Sequence, residues 1–395
     1  MSYLTLLQTI FVLAFCLLAY VYLGYPLLLA VLARIRPRPV EADPSYTPGV
    51  SLIIAAHNEE KVIEHKIRNS LELDYPKDKL EIIVASDGSD DGTNEICRRY
   101  EARGVRLNVV TPRGGKLRAI KLTVPTAEHD VIVFSDANAM YQPDSIRALV
   151  AFLRDDRVGA VTGDVRLVNG TEKLRDCESL YCKYDRWIKT RESKISSVIG
   201  ADGAMYAIKR SLFKPPADHV PVDDVVIPMN VVRQGYRVVY SPRAIAYEDG
   251  TQTISEEIAR RARYTEAGLR AFSQGEGVPR WWQLTEWFMY ISHKLLRWLA
   301  PLFVLALFGI NVALLGHPVW NAIFSLQIGF YLTCVFAASS ARARAVFLCK
   351  LPFYFTVQHI GGLLGILRWL FAKGGCGWES PERSAVAPSL DAPRR

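Results

Sequence analysis

Residues 50–58 read VSLIIAAHN, residues 80–89 read LEIIVASDGS, and residues 130–139 read DVIVFSDANA. Each is a short β-rich run that ends in polar or acidic residues. Helical stretches over 59–72, 91–103 and 116–124 separate them, with a further strand, VRLNVVT, at 105–111. A helix over 143–153 then leads to VGAVTGDVRL at 158–167. Strands alternating with helices predict an α/β domain: a mostly parallel sheet covered on both faces. In such sheets ligands bind beyond the carboxyl ends of the strands. The first, second and fourth strands end in Asn58-Glu59, Asp87-Gly88 and Asp136-Ala137-Asn138. Several acidic and amide groups are therefore expected to converge at one sheet edge.

Two common nucleotide folds are disfavoured by the turns themselves. A nicotinamide-binding turn needs G-x-G-x-x-G after the first strand, and the turn here is AAHNEEK, without glycine. A P-loop needs G-x4-G-K-[ST], but Gly115-Lys116 is followed by Leu117 and no glycine stands at the required offset. Acidic strand ends in place of a glycine-rich cradle suggest carboxylates that hold base, ribose and a divalent cation, with the cation neutralising a diphosphate.

The soluble-looking stretch lies between apolar ones. Residues 4–33 run uncharged, more than the ~20 residues a span requires, and are too long for a signal peptide. Arg34, Arg36 and Arg38 follow at once, so the positive-inside rule places the chain beyond Arg34 in the cytoplasm. Residues 299–316 and 320–338 are each of spanning length, joined by the turn GHPV and followed by SSARARA at 339–345. That predicts an in–out–in hairpin. The stretch 346–371 holds Lys350, Gln358, His359 and Arg368, and either spans or lies in the interface. Residues 280–298, with several tryptophans plus Lys294 and Arg297, read as an amphipathic helix in the membrane plane or as the start of the next span. The expected organisation is a membrane helix over 1–36, a cytoplasmic domain over 45–275, the interfacial helix over 280–298, membrane helices over 299–371 and a tail over 372–395. The expected location is the inner, cytoplasmic membrane, crossed several times, with membrane lipids as neighbours.

The net charge of +8 does not point to nucleic acid, because the basic residues are scattered and many flank apolar runs. An anionic membrane surface and a diphosphate substrate account for them as well. The seven cysteines, at 16, 97, 177, 182, 334, 349 and 376, are scattered and show no metal spacing, which suits reduced thiols.

Four blocks resemble family 2 glycosyltransferases, the group that includes synthases of cellulose, chitin, hyaluronan and poly-N-acetylglucosamine. They are the strand ending in Asn58-Glu59-Glu60, SDGSDDGT at 86–93, GKLRAI at 115–120 and SDANA at 135–139. The resemblance covers about 50–270 and implies a GT-A type, Rossmann-like domain flanked by transmembrane helices. It also implies inverting, metal-dependent sugar transfer from a UDP-sugar. Asn58, Glu59, Asp87, Lys116, Asp136 and Arg263 are then donor contacts. Lys116 can pair with a phosphate. Asp136 and Asn138, two apart and on one side of an extended strand, stand where the family has D-x-D and would hold Mg²⁺ or Mn²⁺. Asparagine replaces the second aspartate, which lowers the charge on the metal.

VIGADGAMYAIKR at 198–210 resembles the strand beneath the acceptor sugar, with Asp202 as an acceptor contact. VPVDDVVIPMNVVRQGYRVVYSP at 220–242 resembles the segment that carries the general base, with Asp224 favoured over Asp223. The family's Q-x-x-R-W block corresponds to Arg260-Arg261-Ala262-Arg263-Tyr264, with Arg for Gln and Tyr for Trp. Arg263 fits the family arginine, and Tyr264 can stack on an acceptor sugar. Trp378 and Arg383 resemble a tail block that closes over the donor. The altered Q-x-x-R-W block leaves three readings open. One is synthesis of an exported polysaccharide, with a second copy or an export partner completing a pore. The second is transfer to a lipid such as an isoprenoid phosphate or a glycolipid. The third is a non-catalytic regulator that binds a nucleotide-sugar.

Overall fold

The computed structural model describes residues 2–168, 172–217, 222–251, 253–339 and 346–371, with the side chains of 172–180 and 347 outside that description. The arginines of 340–345 and the tail block with Trp378 and Arg383 also lie outside the described residues.

Strand β1 (Val50–Ala56) lies between β2 (Leu80–Asp87) and β4 (Val131–Asp136), parallel to both, and β3 (Val105–Val110) extends the sheet beyond β2. The full order is β3-β2-β1-β4-β7-β6-β8-β5, where β5 is Met140–Tyr141, β6 is Val158–Val168, β7 is Met205–Lys209 and β8 is Arg237–Asp249. Strand β7 runs antiparallel to both β4 and β6, and β6 pairs in parallel with β8. The apolar run of β1 follows from this position, because every one of its residues is buried. Successive side chains point to opposite faces. Ile53 accordingly packs into one core with Ile83, Phe134 and Tyr206, while Leu52 and Ile54 pack into a second with Val84, Val133 and Ala207.

The covering helices are α2 (Ile63–Leu71), α3 (Thr93–Arg98), α4 (Lys116–Thr123), α5 (Ser145–Val150), α6 (Glu172–Ile195), α7 (Asp223–Arg233) and α8 (Ile254–Ser273). Among the described residues, three helices are long and apolar enough to cross a membrane: α1 (Tyr3–Ile35), α9 (Leu284–Ala313) and α10 (Pro318–Ser339). The separate in-plane helix expected over 280–298 is not found. Residues from Leu284 onward are the first turns of α9, since no glycine or proline interrupts 284–300, and a π-turn at Ile291–Leu295 absorbs the only irregularity there.

Helix α11 (Phe347–Phe371) packs along α8 through glycines. A Cβ at Gly361 would lie 2.7 Å from Arg261 Cβ, and one at Gly365 would lie 2.5 Å from the Ala262 carbonyl oxygen. The G-x-x-x-G spacing lets the two backbones approach. This contact brings the basic face of α8 up against the apolar helices.

Candidate active site

The register sets the geometry. Ala55 pairs with Asp136 and Ala56 with Ser86, so the ends of β1, β2 and β4 lie side by side. The loops leaving them form the site.

Asp87 is buried, and its two carboxylate oxygens accept hydrogen bonds from the Gly114 and Gly115 amides at 2.9 and 2.6 Å. It thereby fixes the loop that leads into α4. Gly115 has φ +90°, a conformation that favours glycine, and it turns the chain so that Lys116 opens the helix. A lysine in a first turn opposes the helix dipole. Its ammonium instead sits 2.8 Å from Asp136 Oδ1 and 3.2 Å from Asp223 Oδ2. Burial alone would lower the Lys116 pKa, but Asp136 and Asp223 outweigh it and hold the ammonium charged well above the usual lysine range.

Asp223 and Asp224 form the first turn of α7, where the dipole favours carboxylates. Burial, then the neighbouring Asp223 carboxylate, raises Asp224 to about 7, against the opposing pull of Lys116 and Lys294. The segment 199–203 is strapped across this turn: the Ala201 amide donates to the Asp224 carbonyl at 2.7 Å. A Cβ at Gly203 would lie 3.3 Å from Asp224 Cβ and 3.5 Å from Lys116 Nζ, so the glycine lets the strap lie close to both. Asp202 on the same strap pairs with Lys189 at 2.6 Å. Burial raises the Asp202 pKa, and the Lys189 ammonium opposes that rise.

These groups line one end of a cavity of about 1890 Å³. Lys116, Asp136, Asp202, Asp223, Asp224 and Tyr264 all face it. Its far walls are apolar residues of the membrane-length helices, among them Phe11, Phe15, Leu18, Trp320, Ile323 and Phe330.

Several site residues read from the sequence stand elsewhere. Asn58, with φ 54°, exchanges hydrogen bonds with Asp90 through its side chain and so pins the 86–93 loop. Glu59 is buried, and its amide donates to Thr93 Oγ1. With Asp87, they lie at the expected sheet edge but outside the cavity lining. Arg263 is also off that lining. Arg260, Arg261, Tyr264 and Thr265 form the cavity face of α8, and the helical twist of about 100° per residue turns Arg263 away from it.

Asn138 does not share a strand face with Asp136, because β4 stops at Asp136 and the chain turns. The Asn138 amide donates to Glu248 Oε1 at 2.9 Å, while its Oδ1 is buried with no hydrogen-bond partner among the described residues. Glu248, near the end of β8, also lines the cavity and was missed. Its signal was present: an acidic strand end, as at Asp87 and Asp136. Asp136, the orphaned Asn138 oxygen and Glu248 make an oxygen-only donor set that suits Mg²⁺ or Mn²⁺. Among the described residues, no three His, Cys, Asp or Glu side chains form a complete metal cage.

Comparison with known proteins places this arrangement. The chain is 26% identical over 343 residues to a probable glycosyltransferase, YdaM, of Bacillus subtilis, covering 82% of this chain and 71% of that one. It is 24% identical over 238 residues to the poly-β-1,6-N-acetyl-D-glucosamine synthase of Staphylococcus epidermidis, covering 58% of this chain and 57% of the synthase. Among solved structures, the mannosyltransferase PcManGT from Pyrobaculum calidifontis, in complex with GDP-Man and Mn²⁺, matches 92% of this chain and all of its own, with a TM-score of 0.72 at 23% identity. That likeness establishes the GT-A fold. The family profile described as glycosyltransferase like family 2 matches residues 48–267, more than half of the chain, and the protein therefore belongs to the family 2 glycosyltransferases.

Proposed function

We propose that the protein transfers a sugar from a UDP-sugar to an acceptor hydroxyl with inversion, at the cytoplasmic face of a membrane it crosses several times. The observation that carries this reading is the grouping of Asp224, Asp223, Lys116 and Asp136 at one end of a cavity whose other end is walled by membrane-length helices.

Asp224 takes the proton of the acceptor hydroxyl. A carboxylate held near 7 is matched to that task at neutral pH. The freed oxygen forms its bond to the anomeric carbon from the side opposite the leaving group. The bond from that carbon to the diphosphate oxygen breaks, and its electron pair leaves on the diphosphate. Lys116, already charged and held by Asp136 and Asp223, faces the developing negative charge. Asp136, Asn138 and Glu248 would hold Mg²⁺ or Mn²⁺, which supplies electrostatic stabilisation to the leaving diphosphate when bound. Asp87 positions the Lys116 loop through the Gly114 and Gly115 amides. Tyr264, lining the cavity beside Lys294, offers a ring against the acceptor.

Two acceptors are supported by separate observations. Relatives named as poly-β-1,6-N-acetyl-D-glucosamine synthases support a polysaccharide. The apolar cavity walls support an acceptor with a lipid portion. The test is incorporation of radiolabelled sugar by the purified chain in lipid vesicles, with a panel of UDP-sugars and GDP-mannose, with Mg²⁺ or Mn²⁺, and with Asp224→Asn as control. Label in long polymer identifies a polysaccharide synthase, and label only in the organic phase identifies a lipid acceptor. Tight nucleotide binding without transfer or donor hydrolysis from any sugar would refute catalysis and favour a nucleotide-sugar-binding regulator.

A further inference from the structure

Lys66 lies on α2, outside the cavity lining, and is 0% exposed. Its amine donates to the Ala139 carbonyl and sits 3.7 Å from the centre of the Tyr141 ring. Among the described residues no carboxylate pairs with it. Burial lowers the Lys66 pKa to about 7, and the Asp136 charge opposes that fall without cancelling it. The folded chain therefore binds this proton less tightly than the unfolded chain, so Lys66 lowers stability at every pH below the ordinary lysine range. Stability does not account for a lysine here. What its amine holds does.

Ala139 ends the turn that follows β4. Its amide donates to the Asp136 carbonyl at 3.3 Å, which closes the turn, and Lys66 takes the carbonyl of the same residue. Asn138, with its orphaned Oδ1, belongs to this turn. One residue on, β5 pairs antiparallel with β8, Met140 opposite Tyr247 and Tyr141 opposite Ala246. Continuing that register by one step sets Ala139 opposite Glu248. Asp136, Asn138 and Glu248 thus converge on the residue whose carbonyl Lys66 holds. Asn69, one turn further along α2, grips the next part of the chain. Its Oδ1 accepts from the Tyr141 amide at 2.8 Å, and its Nδ2 donates to the Tyr141 carbonyl at 2.9 Å. An amine donates whether charged or neutral, so the hold on Ala139 does not depend on titration of Lys66.

We propose that Lys66 is a positioning residue for the cation: it holds the 136–139 turn from outside the cavity, so that the oxygens of Asp136, Asn138 and Glu248 stay together where Mg²⁺ or Mn²⁺ would bind. This rests on the metal-dependent transferase reading and adds to that site a residue that touches neither ion nor substrate. Replacing a residue that orients metal ligands in this way typically costs about 10–100-fold in metal affinity. The two lysines near Asp136 then have separate tasks. Lys116 pairs with its carboxylate on the cavity side, and Lys66 fixes the backbone that leads away from it.

The experiment is calorimetric binding of UDP or GDP, whichever the wild-type chain takes more tightly, to the full chain in detergent, with and without Mn²⁺. Bound Mn²⁺ is followed in the same samples by the loss of the free ion's paramagnetic resonance signal. In the wild-type chain Mn²⁺ is expected to tighten nucleotide binding. Lys66→Met is expected to lower Mn²⁺ affinity in the nucleotide complex by about 10–100-fold, while nucleotide affinity without metal stays unchanged. Lys66→Gln, which keeps a donor on a shorter side chain, is expected to fall between the two. Ser70→Ala is the control for α2, since it removes a buried hydroxyl whose 2.8 Å bond goes to the Lys66 carbonyl of the same helix. It is expected to keep wild-type metal affinity. Unchanged Mn²⁺ affinity in Lys66→Met or Lys66→Gln would overturn the proposal. So would an equal loss in Ser70→Ala, which would assign the effect to the helix as a whole, or a fall in metal-free nucleotide affinity as large as the fall in metal affinity. A wild-type chain that binds nucleotide equally well with and without Mn²⁺ would sink the metal-dependent reading and the role of Lys66 with it, an outcome distinct from the others.

Discussion

The Lys116 ammonium lies 2.8 Å from Asp136, so the lysine that opens one helix is neutralised by the carboxylate that ends a strand. A phosphate arriving at this site meets a cation already in place. Replacing Lys116 with methionine keeps the side chain's bulk and removes the charge. Transfer is expected to fall by about 10²–10³-fold, the scale of one lost electrostatic donor. The check is kcat with saturating donor, alongside UDP binding.

Asp224 must be ionised to accept a proton. With its pKa raised to about 7, first by burial and then by Asp223, kcat/KM is expected to rise with pH below about 7 and level off above it. Asp224→Asn is expected to abolish both transfer and this pH dependence. A profile flat from pH 5 to 8 in the wild-type enzyme would remove Asp224 from the role of base.

The same shift acts on stability with a definite sign. The folded chain binds the Asp224 proton more tightly than the unfolded chain, so stability falls as pH rises from the ordinary aspartate range through about 7. Asp224→Asn removes that penalty. At pH 8 the inactive variant is expected to melt higher than wild type, by roughly 2–4 °C for a chain of this size. Thermal unfolding at pH 5 and pH 8 checks it, because the gain should shrink at the lower pH.

Glu248 holds the Asn138 amide and lines the cavity beside Asp136. Glu248→Gln is expected to raise the Mg²⁺ or Mn²⁺ concentration for half-maximal activity by about 10–100-fold, with partial rescue at high metal. Chelation is expected to abolish transfer in the wild-type enzyme, and a metal titration of both forms separates lost affinity from lost structure.

Gly361 and Gly365 bring α11 onto α8, with hypothetical Cβ contacts as short as 2.5 Å to backbone. Leucine at Gly365 forces the helices apart, and a cost of about 1–3 kcal/mol or more is expected. Since α8 carries Arg261 and Tyr264, transfer should fall with stability. A variant that melts lower but transfers normally would separate the helix contact from the site.

The sheet was legible because its strands are short, β-rich and punctuated by helices, and because β1 is buried on both faces. The clustering of acidic chain ends was legible for a related reason. Asp87, Asp136 and Asp223-Asp224 occupy strand or helix ends, and chain topology alone brings such ends together. What was not legible depends on side-chain direction. Asn138 was assigned a shared face with Asp136 on the assumption that the strand continued, and it stops two residues short of Asn138. Arg263 was chosen by its place in a motif, but the rotation of α8 offers Arg260 and Arg261 to the cavity. Arg297 read as an interfacial anchor, since nothing local reveals that α6 and α1 close around it. Continuity of α9 was hard to read because the boundary between a polar amphipathic helix and an apolar one carries no breaker.

Glu192 on α6 is the hub of a buried brace: it accepts a hydrogen bond from the Tyr25 hydroxyl of α1 at 2.5 Å and faces His293 Nδ1 of α9 at 2.7 Å. Both partners belong to helices long and apolar enough to be membrane spans. The catalytic half is thus tied to two of the membrane-length helices by a buried polar contact as well as by apolar packing. A fragment trimmed to residues 45–275 would lack both neighbours and open the α6 face that they cover. Such a fragment is expected to melt lower than the full chain, because that face of α6 loses its cover.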